Sequence, residues 1–298
     1  MADRAVVAAD SAGPVRGSAG PFAATTPDGS RLHLQHGPID LIVEAFGRTE
    51  EVVEAYRLAW DRFRSVLDEL VSELPRLRRP LAAGFSGPVA MRMAAAVAPF
   101  TEVFITPMAA VAGAVADEIC AEMTGCDLER AYVNDGGDIA LFLTPGRSFD
   151  VGVVPVPHRP SLLGKARVTA DDPVRGIATS GRHGRSFSIG IADAVTVLAP
   201  NAARADAAAT LLANAVDLPG HPAVHRRPAI ELAPDSDLGE RLVTVDVGPL
   251  SDAEVAEALA AGSAEAERLR SAGLIVAAVL CLDDRVEVVG PVTASAAP

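Results

Sequence analysis

Between Val174 and Asp217 a nearly all-apolar strand runs directly into an alanine-rich helix, and this pair limits the available folds more than any other stretch. The strand, Ala192 to Ala199, offers almost nothing to water, so it reads as the buried interior of a sheet. On the helix Asp206, Thr210 and Asn214 recur every four residues, which puts all three on one face. Such a stripe on an otherwise apolar helix must meet water, a polar partner or a bound ligand. Because the helix packs on a sheet, open water is the least expected destination for the whole stripe. A glycine-rich turn, Thr179-Ser180-Gly181 followed by Gly184, precedes the strand.

Composition narrows the possible partners. The chain has 298 residues, long enough to bury a core, and 49% of them are hydrophobic but only 4% aromatic. The core is therefore built from small side chains, chiefly Ala and Val. A net charge of −13 argues against nucleic acid or an anionic membrane surface, both of which need clustered Lys and Arg. A phosphate-bearing ligand would have to be held by backbone N–H groups, by local Arg or by a metal ion. The three cysteines, Cys120, Cys126 and Cys281, form no C-x-x-C pair and read as small core residues of a reduced compartment. The first residues lack a secretion signal: the apolar run Ala5 to Ala9 is too short and lies between Asp3 and Asp10. No later stretch reaches the ~18 apolar residues of a membrane span. A cytoplasmic location is expected.

Residues 1–20 read as a disordered tail, and 21–298 as one domain with two sub-lobes meeting near 156–172. The pattern predicts strands at Arg31 to His36 and Ile39 to Phe46, with a Gly37-Pro38 break between them. Thr49 is the expected N-cap of a long amphipathic helix, followed by Glu50 and Glu51 where the helix dipole favours acids. His33 and His36 read as structural. A short helix covers Val89 to Val97. Thr106 with Pro107 marks a sharp helix start, which is either a well-capped end or a place to hold an anion. Gly113, in mid-helix, costs close to 1 kcal/mol against Ala and marks close approach by another element or a ligand.

Two strand-like runs flank Asn134-Asp135-Gly136-Gly137-Asp138. Asp-Gly is a strong hairpin signal; equally, short polar side chains around two glycines let backbone come close to a ligand. A strand from Ser148 to Pro155 leads into a linker, 156–170, in which His158, Arg159 and Lys165 read as solvated. Further strands are expected near Ala229 to Leu232, at Leu242 to Val247 and at Leu274 to Leu282. Ser251 and Glu254 form a capping box before a helix reaching about Arg270, and a turn at Asp283-Asp284 leads to Val286 to Val289. Strand pairs separated by helices, twice over, indicate an α+β fold rather than a parallel α/β one.

Four segments in series, Ala112-Gly113-Ala114-Val115-Ala116-Asp117, Asn134-Asp135-Gly136-Gly137-Asp138-Ile139, Thr179-Ser180-Gly181 and Ala205-Asp206-Ala207-Ala208-Ala209-Thr210, resemble the K-G-x-x-x-D, G-G-D/N-I, T-S-G and A-D-x-x-x-T motifs of ApbE-type FAD:protein FMN transferases. The chain looks closest to an ApbE-like branch rather than to the transferases themselves. The resemblance implies an ApbE-like, T-fold-like two-layer architecture of antiparallel sheets with packed helices. It also implies that Asp206 and Thr210 bind a magnesium ion on the FAD pyrophosphate and that Asp117 contacts the nucleotide. The turns carrying Asn134, Gly136, Gly137 and Asp138 and carrying Thr179, Ser180 and Gly181 would line the flavin site. Two hard oxygens one turn apart suit Mg²⁺, which takes one or two protein ligands and fills its shell from phosphate and water.

The departures are specific. The family's lysine is Ala112 here, and its histidine-containing H-I-I-D-P-x-T-G segment is replaced by Ser188-Ile189-Gly190-Ile191-Ala192-Asp193. Arg182, His183 and Arg185 in the adjoining turn are candidates to supply replacement charge, with His183 and Arg185 joining Asp206 and Thr210 as candidate catalytic residues. Three functional classes follow: Mg²⁺-dependent transfer of FMN from FAD to a Ser or Thr of a partner protein, binding of a flavin or other nucleotide without chemistry, and a small-molecule enzyme that has recruited the pocket. The expected partners are a flavin nucleotide, an acceptor flavoprotein and a second copy of the chain in a homodimer. Nucleic acid and membrane are not expected.

Overall fold

The computed structural model describes residues 20–80, 82–153 and 164–291. The expected tail falls almost wholly outside them, as do His158 and Arg159 and the side chain of Lys165. Strands β1 (Phe22–Thr25), β2 (Leu32–His36) and β3 (Ile39–Gly47) form a meander, followed by α1 (Thr49–Leu77) and α2 (Pro88–Val97). A 3₁₀ turn, Pro107–Ala110, leads into α3 (Val111–Met123), then β4 (Leu128–Asp135) and β5 (Asp138–Leu143). The hairpin β6 (Ser148–Val153) and β7 (Gly164–Thr169) comes next, then β8 (Gly176–Ser180), β9 (Ala194–Ala199) and α4 (Ala202–Ala215). The chain continues through β10 (Val224–Pro228), α5 (Ala229–Leu232), β11 (Leu242–Val247), α6 (Asp252–Ser271), β12 (Ala277–Leu282) and β13 (Arg285–Val289).

One nine-stranded sheet, in the order β1-β2-β3-β4-β5-β8-β9-β12-β13, organises the fold, and each recorded strand pairing is antiparallel. The α+β expectation holds. Helices α1, α3, α4 and α6 stand in that order across one face. Between them and the sheet lies a core of small side chains, Ala205, Ala207, Ala208 and Ala209 among them, all fully buried. Alanine lets α3 and α4 approach closely, and Gly113 is the contact point: a Cβ there would overlap the Ala202 carbonyl. The β6–β7 hairpin supplies Phe149, Val151 and Val168 to a second cluster with Tyr132, Ile139 and Leu141. Among the described residues no helix is long and apolar enough to cross a membrane.

Several local expectations need correction. The N-cap of α1 is Arg48 and not Thr49, and it makes no side-chain cap. Thr106 accepts from the Met108 N–H at 3.3 Å, but what it caps is the 3₁₀ turn; α3 itself begins at Val111. The segment 229–232 is a single helical turn, because the strand lies earlier, at β10, and ends on Pro228, which cannot donate to a ladder. The C-terminal end of the expected linker is strand β7, paired with β6.

Candidate functional site

The two halves of the sheet meet at β5 and β8, whose pairing covers only Ile139↔Ile177 and Ala140↔Gly176. At this seam the β4–β5 hairpin and the end of β8 lie together beneath α3 and α4. Asp135 and Asp138 are register partners across the two-residue Gly136-Gly137 turn, both of whose glycines have positive φ. Register partners share a sheet face. Alternation with Val133 and Ala140, which belong to the helix-side core, aims both carboxylates at the helices. Asp206 descends toward them from the first turns of α4.

The site is electrostatically unbalanced. Burial pushes Asp206 up to about 7; the amides of Gly113 and Ala112 pull it down, while the charges of Asp135 and Asp117 push it further up. Asp135 likewise rises to about 7 through burial, with the Arg185 guanidinium opposing the shift. Asp138 is raised well above the usual carboxylate range, first by burial and then by the charges of Asp206 and Asp135. One oxygen of Asp138, Oδ1, is buried and has no hydrogen-bond partner. The nearest cation to the group is Arg185, its Nη2 3.9 Å from Asp135 Oδ1, with a side chain 68% exposed. Its guanidinium lies over Gly136, where a Cβ would collide with it. Among the described residues no group of three or more His, Cys, Asp or Glu side chains is arranged to hold a metal ion. Two surface hollows, of about 220 Å³ beside Arg130 and about 670 Å³ beside Arg76, are lined by none of these carboxylates.

The other candidates separate into those at the seam and those bonded elsewhere. Thr210 stands one turn beyond Asp206, half-buried on the same face of α4. Ser180 shares the helix-side face with Ala178, whereas Thr179 points to the opposite face and its hydroxyl meets that of Thr196 at 2.9 Å. What Thr179 gives the site is its backbone amide, which opposes the rise of Asp138. Gly181 is needed because the backbone of Asp193 passes against it. Asn134 accepts from the Gly137 N–H at 2.8 Å and so shapes the hairpin turn. Asp117 has both oxygens on the amides of Ala202 and Ala203, each at 2.9 Å. Asn214, the third member of the polar stripe, accepts from the Ile189 N–H at 2.9 Å. His183 and Arg182 are both held by Asp193, at 3.1 and 2.6 Å, and Asp193 also accepts from the Asp283 N–H at 2.7 Å.

Sequence reasoning left Asp135 and Asp193 out of the candidate set. For Asp135 a signal existed, since a two-residue hairpin makes its flanking residues direct partners on one face. For Asp193 none did: its partners are a loop before β9 and a turn ninety residues later.

The chain has recognisable relatives. The family model described as AbpE bacteria matches residues 23–288. A UPF0280 protein from Methanopyrus kandleri is 34% identical over 203 residues, covering 66% of this chain and 80% of that protein. Another UPF0280 protein, from Methanothrix thermoacetophila, is 33% identical over 184 residues, with 59% and 74% covered. Among solved structures, a variant of the flavin transferase ApbE from Vibrio cholerae is similar with a TM-score of 0.45 and 15% identity, over 91% of this chain and 97% of that one.

Proposed function

This chain belongs to the AbpE bacteria family, and from that premise we propose that it binds a flavin nucleotide through a divalent cation at the β5–β8 seam and transfers FMN from FAD to a Ser or Thr of a partner protein. The observation that carries the reading is the desolvated pair Asp138 and Asp206, whose charges oppose one another, together with the orphaned Asp138 Oδ1. Half-buried, desolvated carboxylates that repel one another are stabilised either by protons or by a cation. Their hard oxygens fit Mg²⁺, which is commonly bound by one or two carboxylates and completed by phosphate and water.

In this reading Asp138 and Asp206 would hold the cation, with Thr210 offering a hydroxyl one turn further along α4, and a divalent ion there would supply charge neutralisation at the pyrophosphate. Arg185, exposed and seated over Gly136, contacts a phosphate oxygen. Ser180 and the hairpin backbone border the flavin side. The acceptor hydroxyl oxygen forms a bond to the FMN phosphorus; the bond from that phosphorus to the bridging oxygen breaks. AMP departs with the electron pair, and the hydroxyl proton is lost to water. Asp117 and Asn134, whose oxygens are committed within the protein, support the site without touching the ligand.

A binding-only reading has its own support. Ala112 replaces the family's lysine, and the segment 188–193 carries no histidine and is bonded into its surroundings through Asn214 and Thr244. Incubation with FAD and Mg²⁺ separates the two. AMP release is expected for transfer; FAD retention without AMP supports binding alone, and neither outcome defeats both. Asp206→Ala should abolish Mg²⁺-dependent FAD retention, and unchanged affinity would place the site elsewhere.

A further inference from the structure

Two helix N-termini meet above the seam, and each is satisfied by a carboxylate of the other helix. The amide of Gly113, in the first turn of α3, donates to Asp206 Oδ2 of α4 at 3.1 Å. The amides of Ala202 and Ala203, opening α4, donate to the two oxygens of Asp117 on α3. Asn201 takes the next amide, that of Arg204, at 2.8 Å. The first amides of a helix have no partner within it, and acids are favoured there. The anion expected at the start of α3 is thus a side chain of the protein itself.

This exchange places Asp206 twice over. Its Oδ2 is fixed by α3, and the helix that carries it is fixed to α3 by Asp117. Because Gly113 lies against the Ala202 carbonyl, neither helix can slide along the other without breaking an exchanged cap. We propose that Asp117 is a positioning residue for the cation site: it sets the depth of Asp206 over Asp138 while its own oxygens remain on α4. This inference rests on the cation reading of the seam given above. Groups that orient a metal ligand commonly change metal affinity by 10–100-fold when removed.

The test measures Mn²⁺ affinity, with and without ADP, for the intact protein, Asp206→Asn and Asp117→Asn, alongside thermal unfolding of each without metal. Asp117→Asn should weaken Mn²⁺ binding at least tenfold, and its effect on unfolding should be non-additive with that of Asp206→Asn. A variant that melts earlier yet binds Mn²⁺ as tightly as the unaltered chain would make Asp117 a structural cap only and overturn the inference. If the unaltered chain binds no Mn²⁺, the cation reading itself fails; additive unfolding effects would then dismiss the coupled caps as well. Should Asp117→Asn fail to fold, amide exchange in the unaltered protein serves instead. Mg²⁺ should slow exchange at Ala202 and Ala203 about tenfold, and no change there overturns the proposal.

Discussion

The protein buries acids at two places and treats them in opposite ways. Glu118, almost fully buried, accepts from Arg62 and Arg92, each at 2.8 Å, and Arg62 continues to Glu69 at 2.7 Å. At the seam the charge of Asp135 raises the pKa of Asp206, and both charges raise that of Asp138. The guanidinium set against them among the described residues is that of Arg185, which is largely exposed. The fold can bring arginines to a buried acid, and beside Glu118 it does so. At the seam the three acids keep an excess of negative charge, the condition a cation-bound diphosphate would relieve.

The contrast can be broken or sharpened by experiment. The largest effect should come from Glu118→Gln, which leaves two arginines facing a neutral group. Removing one partner of a buried ionic cluster costs about 3–5 kcal/mol, so calorimetry should show a melting point lower by many degrees, and an unchanged one would erase the distinction. Next is pH. Asp135 and Asp206 have native pKa values of about 7, above the 3.8 of an ordinary Asp. A raised native pKa means the folded state binds more protons in that window. Stability contributed by these groups is therefore complete below pH 4 and lost as pH rises toward 7, by roughly 1.4 kcal/mol per pH unit for one titrating acid. Urea midpoints without metal should fall across this range, and Mg²⁺ should flatten the slope. A flat metal-free profile would mean the acids are already neutralised.

Asp138→Asn should act in the direction opposite to Glu118→Gln. Replacing a desolvated carboxylate that its acidic neighbours repel is expected to stabilise the metal-free protein by about 1 kcal/mol while abolishing Mn²⁺ binding; destabilisation would show that the group is compensated in the resting protein. The smallest change is Arg185→Ala, within about 0.5 kcal/mol in stability because the side chain is exposed. Its effect should appear instead as weaker FAD retention, and equal retention would remove Arg185 from the site.

Much of the frame was legible in the chain. The capping box at Ser251 and Glu254 is present as read, and so are the two glycine hairpin and the helix 202–215. Gly113 marked a close approach, and the structure identifies the approaching element as the start of α4. The polar stripe was correct as geometry but not as a unit: Asp206 turns to α3, Asn214 to the segment at 189, and Thr210 stands between them. Strand alternation also turns the Thr179 hydroxyl away from the helices, toward Thr196.

By itself the sequence determined the order of most helices and strands and their periodicity, that strands pair as hairpins, and that acids cluster near two glycine turns, though not the exact starts of α1 and α3. These are properties of neighbouring residues, set by backbone conformation and short-range periodicity. Which acid meets an amide, an arginine or nothing was decided only by the tertiary structure. Asp206 and Gly113 are 93 positions apart and Asp117 and Ala202 are 85, and the charge a carboxylate feels depends on distances of a few ångströms through space, which no local pattern encodes.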